Sequence, residues 1–557
     1  MPTGADLVVQ ALYDHGVRVI FGMPGSHTIA IYDALARHGG IRTVLCRNEQ
    51  AGAFMADGYA RVTGQVGVIC TTAGPGATNA LTGIAEAFGD SVPVLLIAGQ
   101  VNHDKVGRET GSYHEVDLES IFRTCTKFVE TGTTGHEVDG ESADDFADPV
   151  FAALHYINHA RPRPAAIFLP QDMMALCRDE WPVTSGRYYG LSLPPEIPDK
   201  TLAQAVDILR KAERPIILAG GGAVWSKRRG CALTERGVHL DADGPLWPDA
   251  ASALKELAKR LDCPVITTLN GKGTLDERDP YSLGHVRSVR AKEALPHADA
   301  MLAIGCRFTE VTTWFWKLKV PEQLVQIDIE ADQIGVNYPV KVGIVADARE
   351  ALAALLKEIP AQESRWGEIW SRARDAKPQK PEWLIDTLRA ELPENGVLFT
   401  DASEMALRMH TDFPAYAPRT FFYASTYIAL GWGYPAAIGA AVALPDRPVV
   451  CLAGDGGFVM TCQELATAVR YNLRLVVIVH NDSTYGAMKN LQRRFYGERY
   501  IDVELNNPDF VKLAEAYGLP GTRVHGPDEF AQAMRQALAR RGPSLIEVPD
   551  ECRSLRM

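Results

Sequence analysis

The chain has no CxxC pair, no apolar run of membrane-spanning length, no low-complexity tract and no short-period repeat. Each absence removes a class of protein. The ten cysteines (Cys46, Cys70, Cys125, Cys177, Cys231, Cys263, Cys306, Cys451, Cys462, Cys552) are scattered, and several sit inside apolar runs such as "VGVICTT" and "PVVCLAG". They read as buried free thiols in a reducing compartment rather than as a disulfide scaffold or a zinc site. The N-terminal "MPTGADLVVQALYDHG" reads as a helix of the fold, not as a signal peptide. With no spanning segment, the sequence predicts a cytoplasmic protein away from membranes. Basic charge is also scarce: 57 Lys and Arg stand against 69 Asp and Glu, for a net charge of −12. That balance argues against a general nucleic-acid binder and for small-molecule chemistry.

What is present is ordinary globular sequence, 46% hydrophobic and 23% charged over 557 residues, which is too long for one core. Strand-like runs alternate with helical runs, the signature of an α/β fold. The pattern predicts three doubly wound parallel-sheet domains, at 1–175, 195–360 and 380–557. Pro-rich or polar linkers, "WPVTSGRYYGLSLPPEIPDK" and "DAKPQKPEW", separate them. The irregular piece 225–250 is long for a connection and reads as an insertion, a functional loop or a mobile one.

The third block carries "RPVVCLAGDGG", a helical run, then "RLVVIVHND". In a right-handed βαβ unit the two strands are parallel, so Asp455 and Asp482 follow carboxyl ends at one sheet edge. Two hard oxygen ligands beside Gly454, Gly456 and Gly457 suit a Mg²⁺ ion clamping a diphosphate. Thr461 and Glu464 fit a capping box for the intervening helix.

These motifs resemble those of thiamine diphosphate (ThDP) enzymes of the acetolactate synthase/pyruvate oxidase type, and the resemblance covers nearly the whole chain. It implies metal ligation by Asp455, Asp482 and the main-chain oxygen of Thr484, with Tyr485 and Gly486 beside the cofactor. Asp482 stands where the family usually has Asn. "DASEM" implies diphosphate contacts from Ala402, Ser403 and Glu404. "STYIALGWGYPAAIGAA" implies Ile428 and Leu430 as the residues that meet the aminopyrimidine and bend the cofactor. In the first block, "LCRNEQAGAF" implies Glu49 against N1′ of the aminopyrimidine, where a carboxyl promotes the tautomer that activates thiazolium C2. "GMPGSH" and "AGPGATN" imply Pro24 and Asn79 on the same side. Because the family builds each site from two subunits, a homodimer or dimer of dimers is implied.

Other positions depart from the acetolactate synthase pattern. A Gly-Met-His-Gly run that lines FAD is absent from "SLGHVRSVRAKEALPHAD", so FAD is not expected, although Arg307 is kept. Leu491, near Met488, replaces a tryptophan that selects the acceptor, and Gln171 replaces a lysine. Ser26 and His27 replace Gly and Ala, and Tyr113 and His114 replace Phe and Gln. A histidine at the His27 position resembles benzaldehyde lyase, where it transfers protons, and imidazole is suited to that. The resulting expectation is an acetolactate-synthase-like carboligase or decarboxylase of 2-oxo acids. A lyase or carboligase of acyloins (aldehydes and hydroxy ketones) is second, and a FAD-linked pyruvate oxidase or a non-catalytic homologue comes after.

Overall fold

The computed structural model describes residues 1–132, 147–178, 196–225, 249–378 and 382–550, with the backbone of two short pairings, Glu137–Val138 with Glu141–Ser142 and Ala232–Thr234 with Gly237–His239. Apart from the second of these pairings, the predicted 225–250 insertion lies outside the described residues, as does most of the first linker.

The first sheet contains β1 (Val19–Gly22), β2 (Arg42–Leu45), β3 (Gly67–Thr71), β4 (Val94–Gln100), β5 (Phe128–Thr131) and β6 (Ala165–Pro170). The second contains β7 (Pro215–Ala219), β8 (Val265–Thr267), β9 (Ser282–His285), β10 (Ala300–Ile304), β11 (Gln323–Asp328) and β12 (Val342–Val345). The third contains β13 (Val397–Thr400), β14 (Phe421–Tyr423), β15 (Val449–Gly454), β16 (Leu475–Asn481), β17 (Gly521–Arg523) and β18 (Ser544–Pro549). All three are parallel throughout, as the alternating pattern predicts.

The outer two sheets share one topology. Their orders are β2-β1-β3-β4-β6-β5 and β14-β13-β15-β16-β18-β17. The middle sheet differs, with order β9-β8-β7-β10-β11-β12, the 3-2-1-4-5-6 arrangement of dinucleotide-binding folds. At its reversal point the glycines that end β7 and β10 pack against each other: a Cβ on Gly220 would lie 2.2 Å from the Gly305 carbonyl oxygen.

The two terminal domains join through helices Glu49–Thr63 and Gly433–Ala443, which are buried on nearly every side. Backbones meet where side chains are missing. A Cβ on Gly58 would lie 2.0 Å from Ala436 O, and one on Gly439 would lie 1.9 Å from Met55 O. Arg61, Asp57, Asp90 and Trp432 form a buried polar cluster in this junction. Arg61 bridges Asp57 at 2.6 Å and Asp90 at 3.0 Å, while Trp432 Nε1 donates to Asp57 at 3.0 Å. Six of the eight described cysteines are buried and all eight are free thiols. Among the described residues no helix is long and apolar enough to cross a membrane.

The expected capping box does not form. Thr461 donates its hydroxyl to Gly431 O at 3.0 Å, and Glu464 turns across the domain junction to accept Arg47 N and Asn48 N. The tertiary partners displace the local motif because both side chains are fully buried there, where an unmet backbone N–H is costly.

Candidate active site

Open α/β sheets place chemistry beyond the carboxyl ends of their strands. Every predicted residue of the first domain lies there. Pro24, Ser26 and His27 follow β1, Glu49 follows β2, Asn79 follows β3, Tyr113 and His114 follow β4, and Gln171 follows β6.

Glu49 opens its helix behind the N-cap Asn48, whose side chain accepts Gln50 N at 2.8 Å. The carboxyl is 8% exposed and takes the Asn79 side-chain amide on Oε2 at 3.0 Å. Space around it is kept by Gly76, where a Cβ would sit 3.3 Å from Glu49 Oε1 and 2.7 Å from Thr72 Cγ2. Thr72, which the sequence reading missed, ties its loop to the one after β1: its hydroxyl lies 3.4 Å from His27 Nδ1, which also has Ser26 Oγ at 3.2 Å. His27 is buried and packs over Gly99, at the end of β4.

The rings of His27, Tyr113 and His114 stack. Centroids are 5.2 Å apart for the two histidines and 3.8 Å for Tyr113 with His114. His114 has φ +66°, and its backbone presses on Gly74. Burial, then the charge of His114, hold His27 below the usual imidazole value. The two loops thus meet through these rings. Gln171 spends its side-chain amide on Asn102 at 2.9 Å, so its direct contact is with the loop after β4 rather than with His27. Pro24 and Ser26 are exposed.

The third domain repeats the placement. Strand register pairs Gly454 with His480, which brings Asp455 beside Asn481 and Asp482. Asn507, another residue the sequence reading missed, bridges the two strand ends, donating to Asp455 Oδ2 at 2.5 Å and to Asn481 Oδ1 at 3.1 Å. Asp482 Oδ1 accepts the backbone and hydroxyl of Thr484, both at 3.0 Å, which turns that residue's backbone at the site edge. Glycines are again obligatory. A Cβ on Gly456 would strike the Tyr485 ring at 2.7 Å, one on Gly486 would lie 2.9 Å from Asp482 Oδ2, and one on Gly457 would lie 2.4 Å from Asp401 Oδ2. Ala402, Ser403 and Glu404 lie after β13, where Ser403 caps the following helix by accepting Ala406 N and Glu404 accepts the Asn490 side-chain amide.

Four acids act on one another here. Burial and then Asp482 push Asp455 up to about 6, against the hydrogen bond from Asn507. Burial and Asp482 raise Glu404, and burial, Asp482 and Glu404 push Asp550 up to about 7. Such a cluster relaxes when a cation enters. Among the described residues no three His, Cys, Asp or Glu side chains form a ready cage. Two carboxylates with a backbone oxygen therefore fit an ion shared with phosphate oxygens, not one held by protein alone.

Leu430, Val459, Met460, Met488 and Leu491 are all exposed apolar residues on this domain. The helix Gly486–Phe495, which carries Met488 and Leu491, buries no residue. Ordinary core packing therefore does not account for Leu430. Arg307 donates to Gly89 O at 2.5 Å and reaches Thr426 Oγ1 at 3.5 Å, tying the central domain to both others.

Comparison with known proteins finds family matches in all three domains. Residues 2–121 match "Thiamine pyrophosphate enzyme, N-terminal TPP binding domain", residues 240–355 the central domain and residues 401–548 the C-terminal TPP binding domain of the same family. The chain belongs to the thiamine pyrophosphate enzyme family. It is 33% identical to a probable acetolactate synthase large subunit of Methanocaldococcus jannaschii, covering 98% of this chain and 91% of that protein. It is also 33% identical to the acetolactate synthase isozyme 3 large subunit of Escherichia coli (97% and 92% covered). A probable 2-ketoarginine decarboxylase of Pseudomonas aeruginosa is 32% identical (99% and 94% covered). The protein is thus a ThDP-dependent enzyme similar to acetolactate synthase large subunits.

Proposed function

We propose that this ThDP enzyme also depends on Mg²⁺ and decarboxylates a 2-oxo acid, passing the retained acyl unit to a second carbonyl compound. The observation that carries the metal and cofactor reading is the acid cluster around Asp455 and Asp482, which calls for a cation at a glycine-lined strand edge. Asp455, Asp482 and the Thr484 main-chain oxygen would hold Mg²⁺. Ala402, Ser403, Gly454, Gly456 and Gly457 would leave room for the diphosphate, with Glu404, Tyr485 and Gly486 at its edge. ThDP, when bound, supplies the carbon nucleophile and electron sink for bond cleavage next to a carbonyl.

The rest is done by side chains. Glu49 holds a proton at the aminopyrimidine, and Asn79 fixes the orientation of its carboxyl. Ile428 and Leu430 meet the cofactor rings. His27, with His114 beside it, moves a proton to or from the substrate oxygen, an arrangement general acid–base chemistry requires. Tyr113, Ser26 and Gln171 face the substrate from the first domain, and Met488 and Leu491 from the third.

The exposed apolar residues around Leu430 support a second subunit closing each site, in a homodimer or a dimer of dimers working in the cytoplasm. FAD has no part in this reading, since the Gly-Met-His-Gly run that would line it is absent from the sequence. The similarity to acetolactate synthases and to a probable 2-ketoarginine decarboxylase supports a 2-oxo acid donor, with pyruvate and 2-ketoarginine as first choices. Carbon dioxide release from both, with and without ThDP and Mg²⁺, tests the proposal. Absence of ThDP-dependent release from any 2-oxo acid of a broad panel would overturn it.

A further inference from the structure

The segment 425–431 runs from β14 to the helix Gly433–Ala443 and carries Ile428 and Leu430. Three buried carboxylates grip its backbone. Asp90 accepts Ser425 N at 2.8 Å and the Ser425 hydroxyl at 2.7 Å, Glu86 Oε2 accepts Ala429 N at 2.9 Å, and Asp401 Oδ2 accepts Gly431 N at 3.0 Å. Between the first two grips, just before Ala429, the chain is in an unfavourable conformation. Ile428 has φ +60°, where a β-branched side chain is an outlier whose cost, of order 1–3 kcal/mol, the surroundings must impose.

Glu86 stands out among the three. It is completely buried, and its second oxygen, Oε1, has no hydrogen-bond partner. It comes from the other domain, on the helix Pro75–Asp90, whose first turns carry Asn79, the partner of Glu49. The ionisable groups around it are Asp90 on its own helix, Asp57 and Arg61 on the helix Glu49–Thr63, and Tyr423 on β14. Arg61 spends its charge on Asp57 and Asp90. Burial and Asp90 push the Glu86 carboxyl upward, towards a neutral acid. A charged group is therefore not what this position needs. What it supplies to the segment is an acceptor for one N–H.

We propose that Glu86 is a positioning residue for the cofactor: by taking the Ala429 N–H it holds Ile428 and Leu430 in the strained conformation that meets ThDP. This rests on the reading that those two residues face the cofactor rings. It also makes one helix responsible for both Glu49, through Asn79, and the Ile428–Leu430 turn.

Glu86→Gln keeps a neutral acceptor, and Glu86→Leu keeps the volume without one. ThDP and Mg²⁺ titration by calorimetry, hydrogen exchange across 425–431 and thermal unfolding read the two variants. The expected outcome is ThDP binding roughly 10- to 100-fold weaker in Glu86→Leu, the scale of losing a carboxyl acceptor for a partly buried N–H. Exchange should be faster at Ala429 in that variant, and Glu86→Gln should restore both. Wild-type affinity and wild-type protection in Glu86→Leu would overturn the proposal, and so would equal weakening in both variants. If Glu86→Leu does not fold, wild type decides: an Ala429 amide that exchanges freely overturns the grip. Wild-type protein that binds no ThDP would instead sink the functional reading, while exchange at Ala429 would still report on Glu86.

Discussion

Glu464 accepts the backbone N–H of Asn48 at 3.1 Å and that of Arg47 at 2.9 Å, so a side chain of the third domain fixes the two residues that precede Glu49 in the first. Its own helix gets nothing from it, beyond a 2.6 Å bond from Thr467. Burial pushes the Glu464 carboxyl up to about 7. The unfolded chain releases this proton near 4.3. Between those values the folded form holds a proton that the unfolded form has lost, so stability falls as pH rises across the window and levels off above it. Glu464→Gln should flatten that part of the profile. Melting temperatures from pH 4.5 to 8 for both proteins provide the check, and parallel profiles would contradict the assignment.

Removing the acceptor is a different experiment from neutralising it. Glu464→Ala removes the acceptor of two partly buried N–H groups, those of Arg47 and Asn48, directly before the residue proposed to activate the cofactor. Lower turnover with little change in ThDP affinity is expected, because the diphosphate anchor lies elsewhere. A titration showing ThDP binding lost along with turnover would place Glu464 on the anchor side.

Glu49→Gln should bind ThDP and Mg²⁺ within a few-fold of wild type and lose nearly all exchange of the cofactor C2 proton. The remaining amide still pairs with Asn79 but can no longer hold and release a proton. Deuterium exchange at C2, followed by NMR after acid quench, measures this without any substrate. Exchange at the wild-type rate would remove Glu49 from its role.

The acid cluster makes a prediction about the metal. Asp482→Asn keeps an oxygen while deleting the charge that raises Asp455, Glu404 and Asp550. The metal-free variant should therefore be more stable near pH 7 than metal-free wild type, and gain less from added Mg²⁺. Its ThDP binding should survive. Asp455→Ala should bind ThDP far more weakly, since it loses a ligand and the partner of Asn507. Equal impairment of the two variants in calorimetric titration would contradict the geometry.

What the sequence made legible follows from what kind of signal each residue carries. Asp455 and Asp482 could be brought together on paper because parallel strands and right-handed crossovers leave one arrangement, and the register of β15 with β16 agrees. The alternation of runs likewise led to three parallel sheets. Glu464 misled because a Thr followed three residues later by Glu is a local pattern, whereas its actual partners, Arg47 and Asn48, are distant in sequence. Glu86, Asn507 and Thr72 gave no signal at all. Each is an ordinary polar residue whose meaning lies in which distant backbone or side chain it meets. Asp401 was visible only as part of "DASEM", and nothing local says that it would reach Gly431. The matching topologies of the outer sheets, unlike the middle one, were also hidden, since strand order is set by packing between elements rather than by their periodicity.

The last prediction concerns the stacked rings of the first domain. His27 and His114 lie with centroids 5.2 Å apart, and burial with the charge of His114 lowers the His27 value. If His27 moves the substrate proton, His27→Ala should reduce turnover by about 10²–10⁴-fold with ThDP affinity nearly unchanged. The wild-type pH–rate profile should show a limb below the ordinary imidazole value of about 6.5, and the variant should lose it. His114→Ala provides the control that apportions the effect. Without the neighbouring charge His27 should titrate higher, so the limb should move towards neutrality while most turnover remains. Turnover unchanged in His27→Ala, with the loss confined to His114→Ala, would transfer the proton to His114 and leave His27 as the ring on which it stacks.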